Sequence, residues 1–200
     1  MFINKTPLKA EMEGEFAIPK GNEQKFVEIA ERLGISKLTF LYGYGDLRSA
    51  AIREKLESIR TNVKLGHGFI VNAGNFRQAS NEKCIIVAKS SADDRLLFEK
   101  SSIKIFYGFE QMERKDYIHQ RASGLNHILC EIAQKNKIKI GFAYSALFDS
   151  KQKSATILGR MMQNLRLCRK YKVEILLASF AGNPFHLRAK KDIGALFKFA

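Results

Sequence analysis

The sequence predicts an α/β protein with a mostly parallel sheet covered by helices. Short apolar runs alternate with segments of helical periodicity along the whole chain, which is the pattern of consecutive βα units. The apolar runs are continuous rather than alternating, as expected for strands buried on both sides. Hydrophobic residues make up 46% of the 200 residues, which is enough for a sizeable core. We therefore expect a single domain over residues 1–200.

About seven strands are predicted from these runs. In chain order they are 16–18, 38–42, 63–65 continued by 69–71, 84–88, 103–107, 138–144 and 174–179. Gly66-His67-Gly68 interrupts the third run, and glycines inside a strand usually mark a bulge. Seven strands could close into a βα barrel or remain an open doubly wound sheet. In both arrangements, functional residues are expected at the carboxyl ends of the strands or on a basic outer face.

The helices between the strands are placed by caps and periodicity. Asn22 is expected to cap a first helix that stops at Gly34, and Asp46 is a good cap for a second. Two amphipathic helices are predicted later, over 124–136 and 155–171, because apolar residues recur there at helical spacing.

The charge of the chain favours a polyanionic partner. There are 34 Lys and Arg against 20 Asp and Glu, a net charge of +14 at neutral pH. A nucleic-acid backbone is the usual anion that relieves such self-repulsion, and a surface kept basic only for solubility is the alternative. The residues predicted to contact RNA are Arg95, Arg114, Lys115, Arg121, His127, Arg160, Arg169, Lys170 and Arg188.

Two local patterns support this set of residues. The segment between the strand at 103–107 and the helix at 124–136 mixes cations, hydrogen-bonding groups and an aromatic side chain, as phosphate contact with base stacking requires. A merely mobile polar loop is the alternative. Arg160 is expected on the exposed side of its helix, and Arg188 is expected to pair with Asp192 one helical turn later.

The search for catalytic motifs points away from an enzyme that acts through its own side chains. The four histidines form no close pair of the kind that holds a metal ion: they are His67, His119, His127 and His186. Asp93 and Asp94 are adjacent and fit the start of a helix better than a chelate. Nucleophile-elbow, phosphate-loop and dinucleotide motifs are missing from the sequence. A barrel phosphoesterase that uses His67 or His186 with carboxylates is the alternative.

The cysteines and the apolar runs predict a cytoplasmic protein. Cys84, Cys130 and Cys168 are odd in number, far apart along the chain and set in apolar runs, which favours buried thiols over disulfides or a zinc site. No run approaches the length of a membrane span, and the first residues lack the apolar core of a signal peptide.

A family resemblance is carried mainly by the carboxyl-terminal third. The motifs are Gly141-Phe142-Ala143-Tyr144-Ser145-Ala146-Leu147, the run from Arg160 to Val173, and His186-Leu187-Arg188 followed by Asp192. Upstream matches are Pro19-Lys20-Gly21-Asn22-Glu23, Asp94-Arg95 and Gly124-Leu125-Asn126-His127. The chain resembles, over essentially its whole length, the archaeal ribonuclease P protein component 3 family, which is related to a eukaryotic nuclear ribonuclease P subunit. It departs from the family pattern at Ala146, at Ala178-Ser179-Phe180-Ala181 and at Lys190, which concerns barrel closure most.

The resemblance implies a TIM-barrel-like fold, related to metal-dependent phosphoesterase barrels but without their metal set. It implies an RNA-binding subunit of ribonuclease P, in which the RNA performs the magnesium-dependent cleavage that removes the 5′ leader of precursor tRNA. We therefore expect no catalytic residue and no metal or cofactor held by the protein, with magnesium on the RNA subunit.

The resemblance also implies the partners. They are ribonuclease P RNA, protein component 2, the other protein subunits and, indirectly, precursor tRNA; no membrane is expected. A scaffold that touches only protein is a further alternative. The residues expected to be structural or loop-positioning are Tyr144, Ser145, Asn164, Ser179 and Asp192.

Overall fold

The computed structural model describes residues 14–46, 49–100, 103–113, 115–116, 118–119, 121–149 and 154–198. Within them, seven parallel strands form one sheet in which the order of the strands is the same as their order along the chain. The strands are β1 (Glu15–Ala17), β2 (Lys37–Gly43), β3 (Lys64–Val71), β4 (Ile85–Lys89), β5 (Ile105–Tyr107), β6 (Lys139–Ala143) and β7 (Ile175–Ala178). The prediction of about seven strands is confirmed.

Helices connect the strands and cover the outside of the sheet. They are α1 (Glu23–Arg32), α2 (Ser49–Glu57), α3 (Phe76–Ala79), α4 (Asp94–Lys100), α5 (His127–Asn136), α6 (Ala146–Asp149), α7 (Ser154–Lys170) and α8 (Lys190–Lys198). Short 3-10 turns occur at Phe109–Gln111 and Pro184–His186. None of the helices in the described ranges is long and apolar enough to cross a membrane.

The sheet closes into a barrel just beyond β7. Ala17 in β1 bridges Ala181 in parallel. The N–H of Ile18 donates to the carbonyl of Ala181 at 2.8 Å, and the N–H of Ala181 donates to the carbonyl of Phe16 at 3.1 Å. The barrel implied by the family resemblance is therefore confirmed, and the open doubly wound sheet is excluded.

The third strand corrects one prediction. β3 runs unbroken through Gly66-His67-Gly68 and pairs with β2 in continuous register, so the predicted bulge is wrong. A Cβ atom at Gly68 would collide with the carbonyl oxygen of Ile85 in β4. Gly68 is therefore needed because the backbone of β4 approaches it closely, which is the second common reason for a glycine inside a strand.

One helix start also differs from the prediction. α5 begins at His127, three residues later than expected, because the side chain of Asn126 accepts a hydrogen bond from the N–H of Leu129 at 2.9 Å and caps the helix. Gly124 has a φ of +80° and lies outside the helix. The described part of α2 begins at Ser49, and residues 47–48 lie outside the described ranges, so the cap at Asp46 stays a prediction. α7 matches the prediction within one residue.

The three cysteines are free, as predicted. The structure adds that Cys130 in α5 and Cys168 in α7 meet inside the protein, although they are far apart in the sequence. The hydrogen bond between the two thiols, together with burial, raises the pKa of Cys168. The pair belongs to the packing between these helices.

Candidate functional site

The carboxyl end of the barrel, where barrel enzymes carry their active sites, is filled by aromatic rings. The ring of Phe180 is stacked between those of Phe16 and Tyr107, with centroid distances of 5.0 and 4.4 Å. Phe180 is buried and has a φ of +46°, an unfavourable backbone conformation for an aromatic residue. Packing of its ring therefore overrides the local backbone preference.

Two buried serines hold the segment that closes the barrel. The hydroxyl of Ser145 donates to the carbonyl of Phe180 at 3.0 Å. The hydroxyl of Ser179 accepts a hydrogen bond from the N–H of Arg188 at 3.2 Å. Tyr144 packs its ring against Phe148 at 5.5 Å. These contacts are those of residues that position backbone and neighbouring rings.

Two buried carboxylates lie beside this closure, and sequence analysis missed both. Glu15 accepts from the N–H of Ser179 at 2.7 Å, and Glu110 accepts from the N–H of Ala143 at 3.4 Å. Burial raises the pKa of each carboxyl to about 7. An acidic residue inside an otherwise apolar strand was the only local signal for Glu15.

The two histidines proposed for an enzyme lie on different elements. His67 is in β3, with its Nε2 atom 2.7 Å from the hydroxyl of Ser49, and burial together with the charge of Arg53 lowers its pKa. His186 packs against the ring of Phe148 at 5.6 Å. Within the part of the chain that the structure describes, no group of three or more His, Cys, Asp or Glu side chains could hold a metal ion.

An ion pair fastens the β5–α5 connection to α7. Arg160 in α7 is only 2% exposed, and its guanidinium lies 2.8 Å from the carboxylate of Asp116. It also donates to the carbonyls of Glu110 at 3.2 Å and Met112 at 2.8 Å. The prediction that Arg160 lies on the exposed side of its helix is wrong, because the N–H groups of its guanidinium donate to the carboxylate of Asp116 and to two backbone carbonyls inside the protein.

Asp116 is the organising residue of this connection. Partial burial opposes its ionisation, but the N–H of Ala122 and the guanidinium groups of Arg160 and Arg121 hold its pKa below the usual range. We call the contact of Asp116 with Arg160 and Arg121 the Asp116 latch. The latch keeps the connection against α7.

Two amides of α7 extend the latch. Gln163 donates to the carbonyl of Arg121 at 3.0 Å and to the hydroxyl of Ser123 at 2.8 Å. Asn164, fully buried, donates to the carbonyl of Ser123 at 3.0 Å. Its loop-positioning role stays a prediction, and this contact is the one through which Asn164 would hold the loop at Ser123.

Several predicted RNA-contacting residues lie together at the carboxyl end of the barrel. Lys115 and Arg121 are exposed on the latched connection. Arg95, in the first turn of α4, lines a cleft of about 190 Å³ together with Asn126, the cap of α5. His127, exposed, follows that cap directly. Arg114 lies outside the described residues.

Arg188 lies at the same end but has different partners from those predicted. Its guanidinium donates to the carbonyls of Phe185 and Leu187 and lies 5.0 Å from the ring centroid of Phe148. The expected ion pair with Asp192 is wrong: these two described residues do not pair, and Asp192 is exposed in α8. The guanidinium is engaged by carbonyl acceptors of its own turn instead.

An aromatic patch beside Arg188 was not predicted. Phe148 is 48% exposed and Phe185 is 62% exposed. The ammonium group of Lys25 lies 4.9 Å from the ring centroid of Phe185. Exposed rings flanked by cations suit base stacking, and only the tertiary structure brings these residues together.

Arg169 and Lys170 lie at the opposite end of the molecule. They form the last turn of α7, which leads into the amino end of β7. In a parallel barrel, helix-to-strand connections all lie at the amino end and strand-to-helix connections at the carboxyl end. The predicted RNA-contacting residues are therefore divided between two faces.

Comparison with known proteins gives matches that agree with one another. Residues 115–200 match the family model of RNase P subunit p30. Ribonuclease P protein component 3 of Methanosarcina acetivorans is 29% identical over 160 residues, covering 80% of this chain and 59% of the relative. The protein of the same name from Methanococcoides burtonii is 28% identical over 192 residues, covering 88% and 72%. The chain thus spans little more than half the length of the first of these relatives.

The fold has a solved counterpart. A chain in the cryo-EM structure of archaeal ribonuclease P with mature tRNA superposes with a TM-score of 0.73, covering 92% of this chain and 82% of the other. At 20% sequence identity, this likeness concerns the fold alone. Over residues 115–200 the chain is similar to the RNase P subunit p30 family, and over most of its length it is similar to archaeal ribonuclease P protein component 3.

Proposed function

We propose that this chain is an RNA-binding protein subunit of ribonuclease P, which assists the catalytic RNA in removing the 5′ leader from precursor tRNA. The observation that carries the proposal is the family match over residues 115–200. This range contains the Asp116 latch, the closing segment of the barrel and the last helix. The net charge of +14 supports a polyanionic partner.

The subunit assists cleavage without supplying catalytic side chains. This part of the proposal is supported by the aromatic rings of Phe16, Phe180 and Tyr107, which occupy the end of the barrel where barrel enzymes bind substrate. The nearby carboxylates of Glu15 and Glu110 accept hydrogen bonds from backbone N–H groups. Magnesium is held by the RNA subunit, and the protein carries no cofactor of its own.

The latched β5–α5 connection contacts RNA phosphates through Lys115, Arg121 and Arg114. Arg95 and His127 border the same region, and Arg188 lies at the same end of the barrel. Cations fixed on a rigid scaffold bind a phosphate backbone with little loss of conformational entropy. Phe148 and Phe185 offer faces on which unpaired bases stack.

The partners follow from this assignment. The subunit binds ribonuclease P RNA together with protein component 2 and the other protein subunits in the cytoplasm, and it meets precursor tRNA indirectly. The relatives are named as components of ribonuclease P, which supports a role within a particle rather than alone.

The test is reconstitution of 5′ processing. We expect the purified chain alone to leave precursor tRNA uncut, and we expect addition of the cognate RNA with the other protein subunits to give cleavage at the mature 5′ end. Omission of this chain from the full mixture should raise the magnesium concentration needed for cleavage. Co-purification from the native host should yield ribonuclease P RNA.

Two results would overturn the proposal. One is cleavage by the RNA-free protein that survives nuclease treatment and depends on an added metal, which would indicate a barrel phosphoesterase. The other is a full reconstitution whose activity and magnesium dependence do not change when this chain is omitted.

A further inference from the structure

The amino end of the barrel carries a row of cations. Six helix-to-strand connections meet there, ending at the first residues of β2 to β7. We call their cations the amino-end basic rim: Lys37, Arg60, Lys64, Lys83, Lys104, Lys137, Lys139 and Lys172. The described residues of the same connections include two carboxylates, Glu82 and Glu174. β2, β3 and β6 therefore begin at a lysine and β5 begins directly after one, while Lys83 and Lys172 precede β4 and β7 by two and three residues.

Internal partners account for few of these charges. Lys104 donates to the carbonyl of Asn136 at 2.7 Å, and Lys139 lies 3.8 Å from the carboxylate of Glu174. Arg60, Lys64, Lys83, Lys137 and Lys172 are exposed, and among the described residues no hydrogen bond or ion pair engages their charged groups. Stabilisation of helix ends therefore explains only part of the rim.

The register of the sheet sets two of the lysines side by side. Lys37 and Lys64 are direct Cα partners at the start of the β2–β3 pairing. Neighbouring strands are about 4.8 Å apart, and like charges directly opposite each other destabilise a sheet. An external anion between the two ammonium groups would remove that repulsion.

Backbone conformation singles out two further lysines. Lys137 has a φ of +54° and Lys172 a φ of +55°. Each follows a long helix at a position where glycine is the usual residue, and Gly34 serves at the corresponding place after α1 with a φ of +67°. Keeping lysine in the left-handed region costs stability, and such strain is typical of functional positions.

We propose that the amino-end basic rim is a second RNA-binding surface, which contacts phosphates independently of sequence. This inference rests on the proposed function and adds a second contact face to it. An acidic protein is a poorer match, because protein interfaces are enriched in aromatic residues and depleted of lysine. In the described parts of the chain, the exposed large apolar side chains lie outside these six connections: Leu96, Ile118, Ile128, Phe148 and Phe185.

Four rim lysines can be replaced by neutral residues in a variant that is expected to keep the fold. The rim variant combines Lys37→Gln, Lys64→Gln, Lys137→Gly and Lys172→Gly. Its two glycines relieve the left-handed backbone, so its melting temperature should equal or exceed that of the wild type. The control variant combines Lys20→Gln, Arg53→Gln, Arg166→Gln and Lys191→Gln, four exposed cations outside the rim. Both variants lose the same charge.

The measurement is filter binding of the full chain to a short A-form RNA duplex across a salt series. For the rim variant, we expect the slope of log affinity against log salt to flatten by roughly 3 relative to the control, at about 0.7 to 0.9 for each phosphate contact. Equal slopes for the two variants would overturn the proposal. Absence of RNA binding by the wild type would also overturn it. So would a rim variant that loses as much affinity for polyglutamate, a polyanion without phosphates, as it loses for RNA.

The outcome is separable from that of the proposed function. Duplex binding that depends on the rim supports this inference even if ribonuclease P RNA does not co-purify with the chain. Conversely, a chain that restores tRNA processing but whose rim variant binds like the control leaves the proposed function intact and rejects the rim as an RNA-binding surface.

Discussion

The Asp116 latch shows how one residue, Asp116, determines whether Arg160 is buried or exposed. Arg160 has the sequence context of an exposed cation on an amphipathic helix, yet it is 2% exposed because Asp116 and two carbonyls accept its hydrogen bonds. Removing one partner of a buried pair leaves the other charge without compensation, which is more damaging than removing both.

A first prediction follows for Asp116→Ala. We expect the free energy of unfolding to fall by about 3 kcal/mol, the lower end of the range for a broken buried pair, because Arg160 keeps its carbonyl acceptors. The measurement is urea denaturation. Lys115→Ala, next to Asp116 and exposed, is the control and should change stability by less than about 0.5 kcal/mol. Adding Arg160→Met to Asp116→Ala should recover part of the loss, and a double variant no more stable than the single one would contradict this account.

At the scale of the element, one part of the β5–α5 connection is held against α7 and the other part is exposed to solvent. Its carbonyls and Asp116 are held by α7, while Ile118 is 96% exposed and Lys115 and His119 also face solvent. Substitutions in the exposed part should therefore change binding without changing folding.

The corresponding prediction concerns Arg114→Ala with Lys115→Ala. If each cation meets a phosphate, the slope of log affinity against log salt should flatten by about 1.5 when the reconstituted particle's RNA is the ligand. Thermal melts should stay close to those of the wild type. Arg166→Ala with Lys191→Ala serves as a charge-matched control elsewhere on the surface. A double variant with the wild-type slope would mean that a protein partner, rather than RNA, uses this connection.

At the scale of the whole molecule, the barrel carries a buried stack of aromatic rings at its carboxyl end and exposed cations on the connections at both ends. Aromatic rings and the carboxyls of Glu15 and Glu110 fill the carboxyl end, whereas cations gather on the connections at both ends. The charged connections at both ends are the surfaces on which the proposed RNA contacts rest. The buried carboxyls also make the stability of the whole barrel depend on pH.

The pH prediction follows from these two groups. Their pKa of about 7 in the folded protein lies above the ordinary value of 4.5, so the folded state keeps protons that the unfolded state has released. Stability should therefore fall as pH rises from about 4.5 to about 7, by up to about 1.4 kcal/mol per pH unit for each carboxyl, and should level off at higher pH.

Glu110→Gln tests this dependence, because glutamine keeps an acceptor for the N–H of Ala143 and removes the titrating group. The variant should be more stable than the wild type at pH 8 and should show a shallower decline between pH 5 and pH 7 in urea denaturation. Glu113→Gln, at a neighbouring exposed position, is the control. A decline as steep as that of the wild type would show that Glu110 is ionised without penalty in the folded barrel.

The order of strands and helices was accessible from the sequence because it depends on local properties. Continuous apolar runs predicted all seven strands to within about two residues at either end, and helical spacing predicted α7. The same locality explains the errors. Gly68 signals a bulge when only its own strand is considered, and the close approach of β4 becomes visible only in the sheet.

The sequence by itself determined the α/β class, the excess of positive charge and the family resemblance, since these depend on composition, periodicity and the order of motifs along one chain. Tertiary structure alone decided which residues meet. Barrel closure joins Glu15 to Ser179 across 164 positions, and the latch joins Asp116 to Arg160 across 44. The rim lysines are scattered along the sequence. They share one face of the protein because parallel strands all begin at the same end of a barrel.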